Sequence, residues 1–305
     1  MLEDYIAQVK DEKEELKSLL DPNEKILLLT HQNCMDGRVC ELIARKVFPN
    51  LLCVKLPASE HDKLLEHYDM RRFKAVIMAD LSTNSQRILN RRNFIMIDHH
   101  ETSAENKGAH VFNCNDKCGS YLLKVFLETV FDVDLGQYDK LVDMVNDYDL
   151  WIKSSQDSSI LEHLYRTYDW NTFEGRFQNF DGTFTDEEME IYQKELKRLD
   201  DIWMDMQIYV NGHTMVILDE RFNNDIADKV FKKTKSINVV IWVWYPYGGS
   251  VRLREGKESI FSVGEYLKKV GFGGGHARAG GFRIDPMKSL SEAVWKMVND
   301  TKDVG

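Results

Sequence analysis

The sequence contains few cysteines and has no long hydrophobic run. The five cysteines are Cys34, Cys40, Cys53, Cys114 and Cys118, an odd number without a CxxC pair of the zinc-binding kind. The odd number argues against a disulfide framework, so we expect reduced and mostly packed thiols. The purely apolar runs fall well short of the roughly 18 residues that a membrane span requires. The sequence therefore argues against both a disulfide-rich scaffold and a membrane-spanning helix.

The chain also lacks a hydrophobic leader and an excess of positive charge. Its first 20 residues form a charged helical pattern without the apolar region of a signal peptide, which predicts a cytoplasmic protein with no membrane partner. The net charge is −10, and residues 205–305 hold 15 basic and 12 acidic side chains, so the acidic excess lies before them. Such a segment would repel a polyanion unless metal ions reverse the local field. A solvated acidic surface explains the charge equally well.

Apolar strands alternate with amphipathic helices through the first half of the chain. With 305 residues and 43% hydrophobic content, the chain can bury a sizeable core. The alternation predicts an α/β fold with a parallel sheet. The predicted strands are 26–30, 51–55, 75–79, 94–97 and 110–113, and the predicted helices are 63–71, 85–91, 118–131 and 137–149. A capping-box pattern at Thr185 and Glu188 opens a charged helix over about 186–206, and a second α/β unit is expected beyond it.

Acidic side chains follow the predicted strands. "AVIMAD" ends in Asp80 and "FIMID" ends in Asp98, and two histidines come next. A single aspartate after a strand is usually a helix cap, but with the strand before His31 and Asp36 there are three such strands, which caps explain poorly. If the strands are parallel, these side chains meet at one edge of the sheet. The residues expected there are His31, Asp36, Asp80, Asp98 and His99, with Asp147 within reach.

A cluster of carboxylates and imidazoles predicts a metal site. Unpaired carboxylates in a cleft repel one another and resist ionisation, whereas divalent cations hold them together. Oxygen-rich sets with one or two imidazoles suit Mn²⁺, whereas thiolate-rich sets suit zinc. Two metal ions roughly 3.5 to 4 Å apart can share a hydroxide and direct it at phosphorus. Phosphoester hydrolysis is therefore the leading chemical hypothesis.

Five motifs then resemble a known family in their order along the chain. "MIDHHET" resembles the signature of the DHH phosphoesterase superfamily, "THQNCMDG" its first motif, "IMADLS" its second and "VNDYDLW" its fourth. "GFGGGHARAGGF" is similar to the glycine-rich motif of the DHHA1 domain that follows in many members. The resemblance implies a DHH catalytic domain over 1–185, a helical connector over 186–206, and a DHHA1 substrate-binding domain over 207–305.

The resemblance implies a role for each matched position. Two Mn²⁺ ions are expected, with Mg²⁺ as an alternative, and Asp80 is the carboxylate that bridges them. The implied metal ligands are His31, Asp36, Asp80, His99 and Asp147. Asp98 would orient or assist the metal cluster, His100 would face the substrate phosphate, and Asp149 and Trp151 would shape the site.

The first motif departs from the commonest family pattern, which has two aspartates before or at the glycine. Here Asn33 and Cys34 precede a lone Asp36. Whether Asn33 or Cys34 takes part in a metal site stays open at this point. In the second domain, the glycines leave N–H groups that can cradle an anion. The implied substrate-binding residues are Arg254, Gly274, Gly275, His276 and Arg278.

The expected function is a metal-dependent phosphodiesterase that hydrolyses short oligonucleotides from an end, similar to the nanoRNases. One alternative is a phosphatase or phosphodiesterase for small nucleotides, such as 3′-phosphoadenosine 5′-phosphate or linear and cyclic dinucleotides. Another is a non-catalytic nucleotide-binding module, suggested by the reduced carboxylate count of "HQNCMDG". Polyphosphate and pyrophosphate are disfavoured, because those relatives usually carry a different C-terminal domain. The oligomeric state stays open, a homodimer included.

Overall fold

The chain forms two compact units, Met1–Glu188 and Met189–Gly305. The structure, a computed structural model, describes residues 1–57, 61–100, 103, 105–219, 224–244, 248–283 and 290–305. Each unit contains its own β-sheet, the first parallel and the second mixed. The predicted α/β class, with a parallel sheet first and a smaller α/β unit after it, is therefore confirmed. No helix in the described ranges has the length and hydrophobicity to cross a membrane.

The elements of the first unit follow the predicted alternation. In chain order they are α1 (Leu2–Asp11), α2 (Lys13–Leu19), β1 (Ile26–His31), α3 (Met35–Val47), β2 (Leu52–Leu56), α4 (His61–His67), β3 (Ala75–Ala79), α5 (Gln86–Leu89), β4 (Phe94–Asp98), β5 (His110–Asn113), α6 (Gly119–Phe131), α7 (Asp139–Asp149), α8 (Gln156–Thr167) and α9 (Trp170–Phe177). Each strand lies within one residue of its predicted bounds. The helix predicted over 63–71 is shorter, because the Asp69 side chain accepts a hydrogen bond from Arg71 N and starts a separate 3₁₀ turn.

The first sheet has the strand order β2-β1-β3-β4-β5, and all of its pairs are parallel. The residues of β3 and β4 are all buried, as expected for strands covered on both faces. From β1 the chain continues to β2 on one side, and then returns to β3 on the other side of β1. At such a reversal of strand order, a crevice is expected at the carboxyl ends of the two strands, here β1 and β3. His31 ends β1 and Asp80 directly follows β3. The topology therefore places both residues where α/β sheets bind ligands.

Helices cover both faces of the first sheet. Leu65 of α4 and Leu89 of α5 pack on one face, and α3 and α6 pack together and contact the strands as well. Close packing of α3 requires Gly37, since a Cβ there would lie 2.6 Å from the His31 carbonyl oxygen. That approach fixes the first turn of α3, and with it Asp36, against the end of β1.

Helix α10 (Asp186–Asp205) spans the division between the units. The elements after it are β6 (Gln207–Asn211), β7 (Thr214–Leu218), α11 (Asn224–Lys233), β8 (Val239–Trp244), β9 (Gly248–Leu253), α12 (Val263–Val270), β10 (Gly273–Gly275), β11 (Ala279–Arg283) and α13 (Leu290–Thr301). The second unit has a six-stranded sheet in the order β10-β11-β9-β8-β7-β6, in which β7 and β8 pair in parallel and the other pairs are antiparallel. Its core includes residues from the helices α12 and α13.

Candidate metal centre

Three predicted metal ligands meet at the carboxyl edge of the first sheet. Asp36 lies in the first turn of α3, Asp80 follows β3, and His99 follows β4. His99 Nε2 is 3.1 Å from Asp80 Oδ1 and 3.8 Å from Asp36 Oδ2. All three side chains are buried. The fold therefore brings together residues that are 19 to 63 positions apart in the sequence.

Asp149, the last residue of α7, completes this group. Its Oδ2 lies 3.5 Å from His99 Nε2. One ligand atom from each of Asp36, His99 and Asp149 lies within 4.8 Å of the other two. The sequence motif suggested only that Asp149 shapes the site. The structure places its carboxylate within the cluster.

Asp147 makes a different set of contacts. Its Oδ1 accepts hydrogen bonds from Ser154 N (2.8 Å) and Ser154 Oγ (2.5 Å), and its Oδ2 accepts one from Ser158 Oγ (2.6 Å). Residues two apart on a helix differ by about 200° around its axis, so Asp147 and Asp149 face in different directions. The Asp147 carboxylate thus holds the chain after α7 at Ser154 and Ser158. The predicted ligand role of Asp147 stays a prediction.

A second group of three possible metal ligands also contains Asp80. Ligand atoms of His31, Cys34 and Asp80 lie within 4.8 Å of one another. Burial, followed by the nearby charge of His100, lowers the pKa of His31 to about 4. His31 is therefore a neutral imidazole at neutral pH, the form that binds metals. Because Asp80 Oδ1 also lies beside His99, Asp80 is positioned between the two trios.

The amino terminus of α6 positions Asp36, a contact that sequence reasoning did not identify. Gly119 N and Ser120 N donate hydrogen bonds of 2.7 and 2.8 Å to its two carboxylate oxygens. A Cβ on Gly119 would lie 2.7 Å from Asp80 Cβ, so only glycine allows this approach. Each carboxylate oxygen has two lone pairs, so Asp36 can accept these bonds and still bind a cation. The small residues that open this helix were the available sequence signal.

Asp98 and His100 form a pair beside the cluster. His100 Nδ1 lies 2.8 Å from Asp98 Oδ1, and Ser103 Oγ donates to Asp98 Oδ2. Burial alone would lower the pKa of His100, but the Asp98 carboxylate outweighs it and raises the pKa to about 10. Burial would likewise raise the pKa of Asp98, but His100 and Ser103 hold it well below its usual value. Asp98 is thus placed to orient His100.

The cluster fits divalent cations. Burial and the charge of Asp36 raise the pKa of Asp80 well above its usual value. Burial raises the pKa of Asp149 to about 7, with His99 opposing the rise and Asp36 and Asp80 adding to it. Asp80 Oδ2 is buried and has no hydrogen-bond partner among the described residues. Divalent cations would neutralise these carboxylates and provide the missing partner, and carboxylate oxygens with imidazoles suit Mn²⁺ or Mg²⁺.

The predicted substrate-binding residues lie in the second unit. Gly274 and Gly275 belong to β10, which pairs with β11. The backbone N–H of His276 donates to the Ala279 carbonyl (2.7 Å) and closes that hairpin. Arg278 Nε is 3.1 Å from Glu258 Oε1. Arg254 donates 2.8 Å hydrogen bonds to the carbonyls of Ile237 and Thr234, which ties β9 to the end of α11. Substrate binding by these residues stays a prediction.

Comparisons with known proteins find similar structures but no similar sequences. The sequence matches no protein-family model and no curated protein. A pGpG-specific phosphodiesterase, PggH, from Vibrio cholerae has a similar structure, with a TM-score of 0.53, 15% identity, and coverage of 92% of this chain and 98% of that one. An exonuclease RecJ bound to manganese matches with a TM-score of 0.58 and 12% identity over 97% of this chain and 93% of that one.

A third similar structure is a DHH domain from a member of a family of ribosomal proteins. It matches with a TM-score of 0.56 and 14% identity, and the match covers 99% of this chain and 92% of that chain. At these identities the similarity concerns the fold. This chain therefore shares the fold of these structures, one of which is described as a DHH domain.

Proposed function

We propose that this chain is a metal-dependent phosphodiesterase that hydrolyses short oligonucleotides from an end. The observation that carries the proposal is the convergence of Asp36, Asp80, His99 and Asp149 in a buried cluster at the carboxyl edge of a parallel sheet. A structure of the same fold, exonuclease RecJ, is described as bound to manganese. The chain thus has side chains suited to divalent cations, and it has the fold of a protein that binds manganese.

The two trios suggest how the chain would hold two cations. His31 and Asp80 would bind one, and Asp36, His99 and Asp149 would bind the other, with Asp80 bridging them. Two divalent cations supply a hydroxide nucleophile at neutral pH and neutralise charge at phosphorus. Manganese is the preferred metal and magnesium the alternative. The α6 amides hold Asp36 in place before any cation is bound.

His100 would act on the substrate rather than on the metals. Asp98 holds its ring through Nδ1, so a hydrogen bond from the ring to a phosphate oxygen would come from Nε2. Asp98 and Ser103 would act through His100 as positioning residues. In the second unit, Arg254, Gly274, Gly275, His276 and Arg278 remain the residues proposed to hold the nucleotide.

A linear dinucleotide is the most specific second candidate substrate. The structural match with the pGpG-specific phosphodiesterase covers nearly all of both chains, so the two proteins have similar lengths as well as a similar fold. Dinucleotides are also the smallest oligonucleotides, so this candidate is one end of the proposed substrate range.

The test is hydrolysis by metal-free protein supplied with Mn²⁺ or Mg²⁺. The substrate panel contains linear dinucleotides including pGpG, longer RNA and DNA, cyclic dinucleotides and 3′-phosphoadenosine 5′-phosphate. We expect metal-dependent release of mononucleotides from the short linear substrates, abolished in Asp80→Asn. Asp143→Asn serves as the matched control, because Asp143 is exposed on α7. Activity that persists in EDTA would contradict the proposal, and binding without hydrolysis would favour the non-catalytic module.

A further inference from the structure

We propose that Cys34 supplies a thiolate ligand to the metal centre, so that one of its two cation sites is a mixed sulfur, nitrogen and oxygen site formed by His31, Cys34 and Asp80. The inference rests on the proposed function, because it concerns the same centre. It assigns a role to the position where the first motif departs from the commonest pattern.

The first argument is distance. Ligand atoms of His31, Cys34 and Asp80 lie within 4.8 Å of one another. Metal bonds of roughly 2.0 Å to nitrogen or oxygen and 2.3 Å to sulfur place two opposed ligands of this trio about 4.0 to 4.3 Å apart. One cation can therefore contact all three side chains after small rotations. The trio comes from two neighbouring strand ends, β1 and β3, at the point where chain order reverses.

The second argument is that one carboxylate oxygen of Asp80, Oδ2, is buried without a hydrogen-bond partner of normal geometry in the described part of the chain. A cation between Asp80 and Cys34 satisfies the carboxylate oxygen directly.

The third argument is the position of Cys34 at the start of α3. It stands at the amino-terminal cap, where serine, threonine, aspartate and asparagine are the preferred residues, and its sulfur contacts the Gly37 backbone without a capping hydrogen bond of normal geometry. Asn33 before it adopts a left-handed φ of 57°, a conformation that asparagine tolerates better than most residues. Cys34 is a free cysteine. Of the five cysteines, it alone lies in a group of possible metal ligands among the described residues.

The fourth argument is charge. Asp36, Asp80 and Asp149 provide three negative charges, and a Cys34 thiolate provides a fourth. Two divalent cations balance these four charges, because the imidazole ligands add no charge of their own. The thiol proton leaves to solvent when the cation binds. In the commoner motif a second aspartate provides this anionic ligand. In this chain the Cys34 thiolate would provide it, with a soft sulfur atom in place of a hard oxygen.

The experiment is a Co²⁺ titration of the metal-free protein in a non-thiol reductant. Thiolate ligation produces a sulfur-to-cobalt charge-transfer band in the near ultraviolet. We expect this band in the wild type and in the control Cys53→Ser, because Cys53 is partly buried like Cys34 but lies on β2. We expect no band in Cys34→Ser or Cys34→Asp. Cys34→Ser should also bind Co²⁺ at least tenfold more weakly, since even outer-shell partners change metal affinity by roughly 10- to 100-fold.

Cys34→Asp provides a second and independent readout. A carboxylate at this position should lower the affinity for thiophilic Cd²⁺ relative to Mn²⁺ while leaving two cations bound per chain. Binding of two Co²⁺ ions without the charge-transfer band, or a band that survives in Cys34→Ser, would overturn the thiolate ligand and leave the proposed phosphodiesterase standing. Failure of the wild type to bind any divalent cation would overturn both.

Discussion

At the residue scale, Asp147 and Asp149 belong to one sequence motif, but their carboxylates make different contacts. Asp149 lies beside His99 among other carboxylates, and Asp147 accepts hydrogen bonds from Ser154 and Ser158. A carboxylate crowded by like charges is costly without a cation, whereas one that accepts several hydrogen bonds stabilises the chain around it. Their replacement by asparagine should therefore change the free energy of unfolding differently.

The first prediction compares Asp147→Asn with Asp149→Asn in metal-free protein. Asp147→Asn should lower the free energy of unfolding by about 1 to 3 kcal/mol, because an amide nitrogen cannot accept the bonds from the serines. Asp149→Asn should leave that free energy unchanged or raise it, but remove most of the stabilisation that added Mn²⁺ gives. Denaturant unfolding with and without Mn²⁺ measures both quantities. The reverse pattern would identify Asp147 as the ligand.

At the element scale, the amino terminus of α6 contacts both the first turn of α3 and the residue that follows β3. Its first amides hold Asp36, and Gly119 lies directly against Asp80. Because the helix and the two carboxylates are packed against each other, the geometry of the metal centre depends on how closely α6 approaches.

The second prediction is that Gly119→Ala weakens metal binding. The added Cβ would overlap the Asp80 backbone and should cost about 1 to 3 kcal/mol of stability, as overpacking generally does. Gly175→Ala is the control: Gly175 lies inside α9 and an added Cβ there meets no atom within 4 Å. It should stabilise the protein by about 0.5 to 1 kcal/mol. Thermal unfolding and Mn²⁺ titration measure the two effects, and equal behaviour of the variants would rule out this role of α6.

The capping box at the start of α10 is the second feature at this scale. Glu188 accepts a 2.8 Å bond from Thr185 N, and Thr185 Oγ1 accepts a 3.2 Å bond from Glu188 N, as predicted. Arg176 also donates two hydrogen bonds to Glu188, of 2.7 and 2.9 Å. Burial alone would raise the pKa of Glu188, but Arg176 and Thr185 outweigh it and lower the pKa.

The third prediction follows from that lowered pKa. Because the folded pKa lies below the unfolded value of about 4.3, Glu188 contributes stability above that pH and loses it as the pH falls through the folded value. Glu188→Gln should cost about 1 to 3 kcal/mol at pH 7. The difference from wild type should shrink as the pH falls below about 4.3. Unfolding free energies across this range provide the measurement, and a difference that is constant with pH would contradict the assignment.

At the scale of the whole molecule, the two units are proposed to divide the work. The candidate metal centre consists of residues from the first unit, and the predicted nucleotide-binding residues belong to the second. Groups that position a substrate without binding the metal should affect large and small substrates differently.

The fourth prediction separates positioning from chemistry. His276→Ala and Arg278→Ala should lower kcat/KM for short oligonucleotides by an amount equal to about 1.5 to 3 kcal/mol for each charge-assisted hydrogen bond lost. Metal content and hydrolysis of a small generic phosphodiester should change little. Lys235→Ala, at an exposed position of the same unit, is the control. Equal losses on both substrates would assign the glycine-rich segment to folding or to the chemical step instead.

The sequence by itself determined the strands, the fold class and most members of the cluster. Continuous apolar runs predict buried parallel strands, and such strands must bring the residues after their carboxyl ends to one edge, which accounts for His31, Asp80 and His99. Only the tertiary structure placed Asp149 beside His99 and Asp147 against Ser154 and Ser158. Spacing gives the angle between two residues on a helix but not the rotation of that helix against the sheet, which depends on packing from distant segments. The contact of α6 with Asp36, and the place of Cys34 beside His31 and Asp80, were decided in the same way.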